Sequence, residues 1–120
     1  MTLEQTTDTQ VQVQVRVDGL DGDWLALCSL SQLTPGRGVA ALLPDGRQVA
    51  LFLDREGTPY AIDNRDPFTG AAVLSRGLIG SSGGRPFVAS PLLKQRFELE
   101  TGRCLDDDEV SVTAYEVRLS

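Results

Sequence analysis

Val11-Gln12-Val13-Gln14-Val15-Arg16-Val17 places a β-branched apolar residue at every odd position and a polar one at every even position. Side chains on a strand alternate between its two faces, so this segment predicts a strand with one face in a core and the other in water. The same logic extends outward. Asp18-Gly19-Leu20-Asp21-Gly22-Asp23 holds two Asp-Gly pairs and predicts a turn, after which residues 24–28 read as a second strand. Leu30-Ser31-Gln32-Leu33 predicts a single helical turn, stopped by Thr34-Pro35-Gly36. Residues 39–43 and 48–53 predict two strands joined through Pro44-Asp45-Gly46-Arg47 as a hairpin. A turn at 54–58 leads to a strand at 59–63, and further strands are predicted at 87–90, 97–99 and 112–119. Asp106-Asp107-Asp108-Glu109 reads as an acidic surface turn. No window sustains apolar residues at helical spacing over three turns, so the fold class is all-β, a sandwich or barrel of short strands. Residues 1–10 are polar and rich in Thr and Gln, and are expected to be a disordered tail ahead of one domain spanning 11–120.

Composition narrows the function classes. Among the 120 residues, 41% are hydrophobic and 23% charged, as in ordinary globular proteins. A net charge of −6 argues against nucleic acid and anionic membrane surfaces, both of which call for clustered Lys and Arg. No apolar run approaches the roughly 20 residues that span a bilayer, and the N-terminus lacks the basic start and apolar centre of a secretory signal. The expected location is the cytoplasm, where Cys28 and Cys104 would stay reduced. Two thiols without a histidine make a poor zinc site. The absence of histidine also removes the commonest general base, and no catalytic motif stands out.

Residues 64–84 break the strand pattern with Gly, Ser and Arg. Within them only Ala72-Val73-Leu74 and Leu78-Ile79 are apolar enough to bury, and Ser81-Ser82-Gly83-Gly84 is expected to be mobile at its tip. A loop of that length in a compact domain is more often functional than incidental. Two short segments frame it: Asn64-Arg65-Asp66-Pro67-Phe68-Thr69-Gly70, and Ser90-Pro91-Leu92-Leu93-Lys94-Gln95-Arg96-Phe97-Glu98-Leu99 followed by Thr101-Gly102. Their framework resembles the two cluster-binding loops of a Rieske [2Fe–2S] domain. The family's ligand positions, Cys-x-His and Cys-x-x-His, fall here at Asn64 and Asp66, then at Ser90 and Leu93. A Rieske centre takes two thiolates and two imidazoles, so the resemblance implies the scaffold without its [2Fe–2S] cluster.

Residues 24–119 more closely resemble the small subunit of assimilatory NAD(P)H-dependent nitrite reductase. Tyr60-Ala61-Ile62-Asp63-Asn64-Arg65-Asp66-Pro67-Phe68, Val73-Leu74-Ser75-Arg76-Gly77-Leu78-Ile79-Gly80 and Val88-Ala89-Ser90-Pro91-Leu92-Leu93-Lys94-Gln95-Arg96-Phe97 carry that resemblance. Val49-Ala50-Leu51-Phe52 and Glu100-Thr101-Gly102-Arg103-Cys104-Leu105 stand in the same order around them. The resemblance implies a Rieske-type three-sheet β fold and a chain that binds no cofactor or metal and carries no catalysis of its own. It implies as partner a large subunit holding FAD, a [4Fe–4S] cluster and sirohaem, which reduces nitrite to ammonium. Alternatives are a Rieske-type ferredoxin, or a free-standing interaction module serving another oxidoreductase.

Asn64, Asp66 and Ser90 also suit ordinary turns, where such side chains bond nearby backbone N–H groups. Leu93 is expected to pack over the closed site. If the loops instead dock a partner, Arg65, Arg76, Lys94 and Arg96 would bring positive charge to an otherwise acidic chain. Phe68, beside Pro67, is a candidate anchor or a core plug, and Phe97 is expected in the core. The sequence leaves open whether residues 11–17 complete the domain or pair with another chain.

Overall fold

The computed structural model describes residues 11–17 and 24–120; the tail expected at 1–10 and the turn expected at 18–23 lie outside them. Among the described residues nine strands follow in order: β1 (Gln12–Arg16), β2 (Trp24–Ser29), β3 (Val39–Leu42), β4 (Gln48–Leu53), β5 (Pro59–Asp63), β6 (Leu78–Ser82), β7 (Arg85–Ala89), β8 (Arg96–Glu98) and β9 (Ala114–Leu119). Two 3-10 turns, Leu30–Gln32 and Leu74–Arg76, are the helical segments among the described residues. The chain is all-β, as its patterning predicts.

Six strands form one sheet in the order β2-β1-β9-β5-β4-β3, and β6-β7-β8 form a smaller antiparallel one. The six-stranded sheet is two halves joined by β9, which gives the three-sheet arrangement. Glu116 to Leu119 pair with β1, while Ala114 and Tyr115 pair with β5. β1 is an inner strand, hydrogen-bonded to β2 on one side and β9 on the other. That answers the open question about residues 11–17: they pair within the chain.

β4 explains why two cores exist. Val49, Leu51 and Leu53 face one cluster with Val13, Val15, Val17, Leu33 and Leu43. Ala50 and Phe52, on the opposite face of the same strand, join Ile62, Leu74, Val88, Phe97 and Leu99. Strand periodicity thus makes β4 a wall buried on both sides, which is why it reads as a continuous apolar run. The first cluster fills the nearly closed larger sheet; the second lies between that sheet and β6–β8. Each fully buried Phe or Leu contributes about 1.5–3 kcal/mol relative to exposure.

The long loop expected over 64–84 is shorter than its sequence suggests. Leu78–Ser82 is a strand, paired in register with β7 from Leu78–Ala89 to Ser82–Arg85. Gly83 and Gly84 both have positive φ, +59° and +82°, which suits the tight turn of a right-twisted hairpin. Residues 81–84, expected at a loop tip, form the end of this hairpin. Gly80, mid-strand, lies under the Phe87 ring, where a Cβ would come within 2.7 Å of Phe87 Cζ. A strand of Leu-Ile-Gly-Ser-Ser is poor in β-formers and mostly exposed, so little in its composition signals it.

Candidate functional site

The two loops that stand out in the sequence meet at one end of the second core. Asn64 follows β5 directly, and every polar group it carries is used. Its N–H donates to Gln48 O at 3.0 Å and its carbonyl accepts from Leu74 N–H at 3.0 Å. Its Nδ2 donates to Gln48 Oε1 at 3.0 Å, and its Oδ1 accepts from Ser75 N–H at 2.7 Å. Asn64 therefore pins the 3-10 turn at 74–76 to the end of β4.

Asp66 and Ser90 join the loops. Asp66 Oδ1 accepts from Phe68 N–H at 2.8 Å, closing a turn within the first loop. Its Oδ2 accepts from the Ser90 hydroxyl at 2.5 Å, across 24 residues of chain. Ser90 Oγ in turn accepts from Leu92 N–H at 3.3 Å. Asn64, Asp66 and Ser90 are 1%, 0% and 1% exposed. Three buried polar side chains would be costly without partners, and each has them.

The fourth position behaves differently. Leu93 is 55% exposed, and Leu92 beside it 50%. The expectation that Leu93 packs over the site is overturned. The backbone supplies the reason: Ser90 N–H donates to Gln95 O at 2.9 Å, and Lys94 N–H donates to Ser90 O at 3.0 Å. This closes a tight turn in which Lys94 has φ +67°, the one positive-φ non-glycine among the described residues. The left-handed region costs a side-chain-bearing residue about 1–2 kcal/mol. The turn carries both leucines outward, while Phe68 and Phe97, with ring centroids 6.2 Å apart, lie on the core side.

These positions do not fit an iron–sulfur cluster. An amide, a carboxyl, a hydroxyl and an alkyl group stand where two thiolates and two imidazoles would be needed. Asp66 and Ser90 are already committed to each other and to backbone, and Asn64 to the Gln48 side chain and to backbone. Cys104 is buried in the second core and Cys28 sits on β2, where burial raises its thiol pKa.

The candidate contact residues divide. Arg65, Arg76 and Lys94 are exposed, and no carboxylate pairs with them among the described residues. Arg96 is committed: Nη2 lies 2.8 Å from Asp106 Oδ1, Nε 3.2 Å from Oδ2, and its own N–H donates to Oδ2 at 2.8 Å. The guanidinium also stands 5.6 Å from the Phe87 ring centroid. Hydrogen bonds from Arg96 hold the Asp106 carboxyl below the usual aspartate range. Phe68 is half-buried and packs on the second core, so it acts as a plug. Leu78, expected to be buried with Ile79, is instead 77% exposed at the start of β6, and sequence reasoning missed the exposed Leu92. Consecutive leucines next to Pro91 in a loop were the available signal.

Comparison with known proteins completes the picture. A family model described as a Rieske-like [2Fe-2S] domain matches residues 23–120. The nitrite reductase (NADH) small subunit of Salmonella typhimurium is 46% identical over 97 residues, 80% of this chain and 89% of that protein. The NMR structure of the Escherichia coli protein NirD superposes with a TM-score of 0.71 at 44% identity, covering 81% of this chain and 94% of that one. The nitrite reductase [NAD(P)H] large subunit of Klebsiella oxytoca is 45% identical over 96 residues, which is 80% of this chain but 10% of that protein.

Proposed function

The chain belongs to the Rieske-like family of nitrite reductase small subunits, and from that membership we propose that it is the non-catalytic small subunit of a cytoplasmic NAD(P)H-dependent nitrite reductase. It acts in nitrate assimilation, where nitrite is reduced to ammonium. Its partner is the large subunit, which carries FAD, a [4Fe–4S] cluster and sirohaem and performs the chemistry. This chain, a single β domain over residues 11–120, binds no cofactor and supports the large subunit by association.

One observation carries the reading. The loops that would cradle a cluster are instead tied by the buried Asp66–Ser90 hydrogen bond and by Asn64, so their frame persists without cluster ligands. A rigid loop pair without a redox centre suits recognition. The Klebsiella large subunit, which includes a stretch 45% identical to this chain, supports the choice of partner. The loop end supplies the contact, with Arg65, Arg76 and Lys94 on its surface. No helix among the described residues is long and apolar enough to cross a membrane.

Reconstitution tests this. Added to a large subunit purified without it, the chain is expected to form a stable complex and raise nitrite-dependent NAD(P)H oxidation, while the chain alone is inactive. A large subunit that neither binds the chain nor responds to it would overturn the reading. Charge reversal at Arg65 and Lys94 together is expected to weaken the complex and reduce its salt sensitivity, read by titration.

A further inference from the structure

The described residues leave five large hydrophobic side chains exposed: Leu42, Leu78, Leu92, Leu93 and Leu119. Three of the five belong to two segments that the fold brings together. Leu78 opens β6 and pairs with Ala89, the residue before Ser90. The approach is close: a Cβ on Gly77 would lie 2.2 Å from Ala89 O. Leu92 and Leu93 follow in the turn that Lys94 closes. The Asp66–Ser90 bond and the Asn64–Ser75 bond fasten the first loop to the same end. Leu78 at 77%, Leu92 at 50% and Leu93 at 55% exposure thus stand on a rigid base. Arg65, Arg76 and Lys94, exposed and without a carboxylate partner among the described residues, come from the same segments, whereas Arg37 and Arg55, likewise exposed and unpaired, lie on other turns.

We infer that Leu78, Leu92 and Leu93 are the apolar centre of the contact with the large subunit, and that Arg65, Arg76 and Lys94 are its rim. The complementary face on the large subunit is an apolar depression bordered by Asp and Glu. This deepens the proposed function and rests on it. Exposed apolar clusters edged by charge mark contact surfaces, and a few central residues carry most of the energy of such contacts. Holding the turn in a conformation unfavourable for Lys94 keeps the leucines outward before binding, so little ordering remains to be done at association. Arg96 and Phe68 lie outside this surface because both are occupied within the domain.

Titration of the purified large subunit with the full chain tests the inference. Leu92→Ser/Leu93→Ser is expected to weaken binding about tenfold or more. Leu78→Ser, on a separate element, is expected to weaken it severalfold, so the test does not rest on one variant's folding. Both should unfold at the wild-type temperature, since the side chains are exposed. Leu119→Ser, at the far end of β9, is the control and should bind like wild type. Leucine variants that bind as wild type does would overturn this inference and leave the partner assignment standing. A wild-type chain that fails to bind would overturn both.

Discussion

The loop end holds two trios with inverted habits. Asn64, Asp66 and Ser90 are polar and sealed inside, whereas Leu78, Leu92 and Leu93 are apolar and face outward. Elsewhere the chain follows the usual order, with Val13, Val15 and Val17 inside and Gln14 and Arg16 less buried between them. The polar trio is stable inside because Asp66 and Ser90 bond each other and backbone, and Asn64 bonds Gln48 and backbone. Leu92 and Leu93 are carried outward by the turn that Ser90, Lys94 and Gln95 close, and Leu78 by its exposed position at the start of β6. Interior polarity gives the loops a fixed shape, and exterior apolarity is what the proposed contact with the large subunit would cover.

The largest effect should come from beneath both trios. Phe97→Ala removes a fully buried ring in contact with Phe68 and should cost about 3–5 kcal/mol in denaturant unfolding. Next come the buried partners. Asp66→Ala strands the Ser90 hydroxyl and the Phe68 N–H and should cost about 2–3 kcal/mol. Adding Ser90→Ala should cost less than the sum of the two single changes, because they share one bond. Strict additivity would show that the loops are not coupled through it. Lys94→Gly should go the other way, raising stability by about 0.5–1 kcal/mol as the left-handed strain is relieved against glycine's entropy cost. The smallest effect is a pH dependence. Asp106 titrates below its ordinary value of 3.8, so its proton binds the unfolded chain more readily than the native one. Its contribution is complete above that value and fades as the pH falls below it. Both partners are partly exposed, so the slope is shallow, and Asp106→Asn should flatten it in acid melts.

Much of this architecture was legible in order. β4 and β5 fall on the residues their apolar runs predict, and the Asp45-Gly46 turn joins β3 to β4. Phe97 sits in the core, as its strand position suggested. β6 was hidden because Gly80, Ser81 and Ser82 have no pattern a strand requires; its partner β7 holds it in place. The family framework brought attention to Asn64, Asp66 and Ser90, but the bond between residues 66 and 90 is a tertiary fact without a local signal. Leu93 was misjudged because residue type predicts burial only on average. It lies in a tight turn whose next residue, Lys94, has positive φ, a geometry no residue-type average contains.

Hydrogen–deuterium exchange of the chain, free and bound to the large subunit, tests the central claim most directly. The account predicts slowed exchange confined to the 65–70, 75–79 and 91–95 segments on binding. Protection confined to β2 and β3, with those segments exchanging as in the free chain, would contradict it.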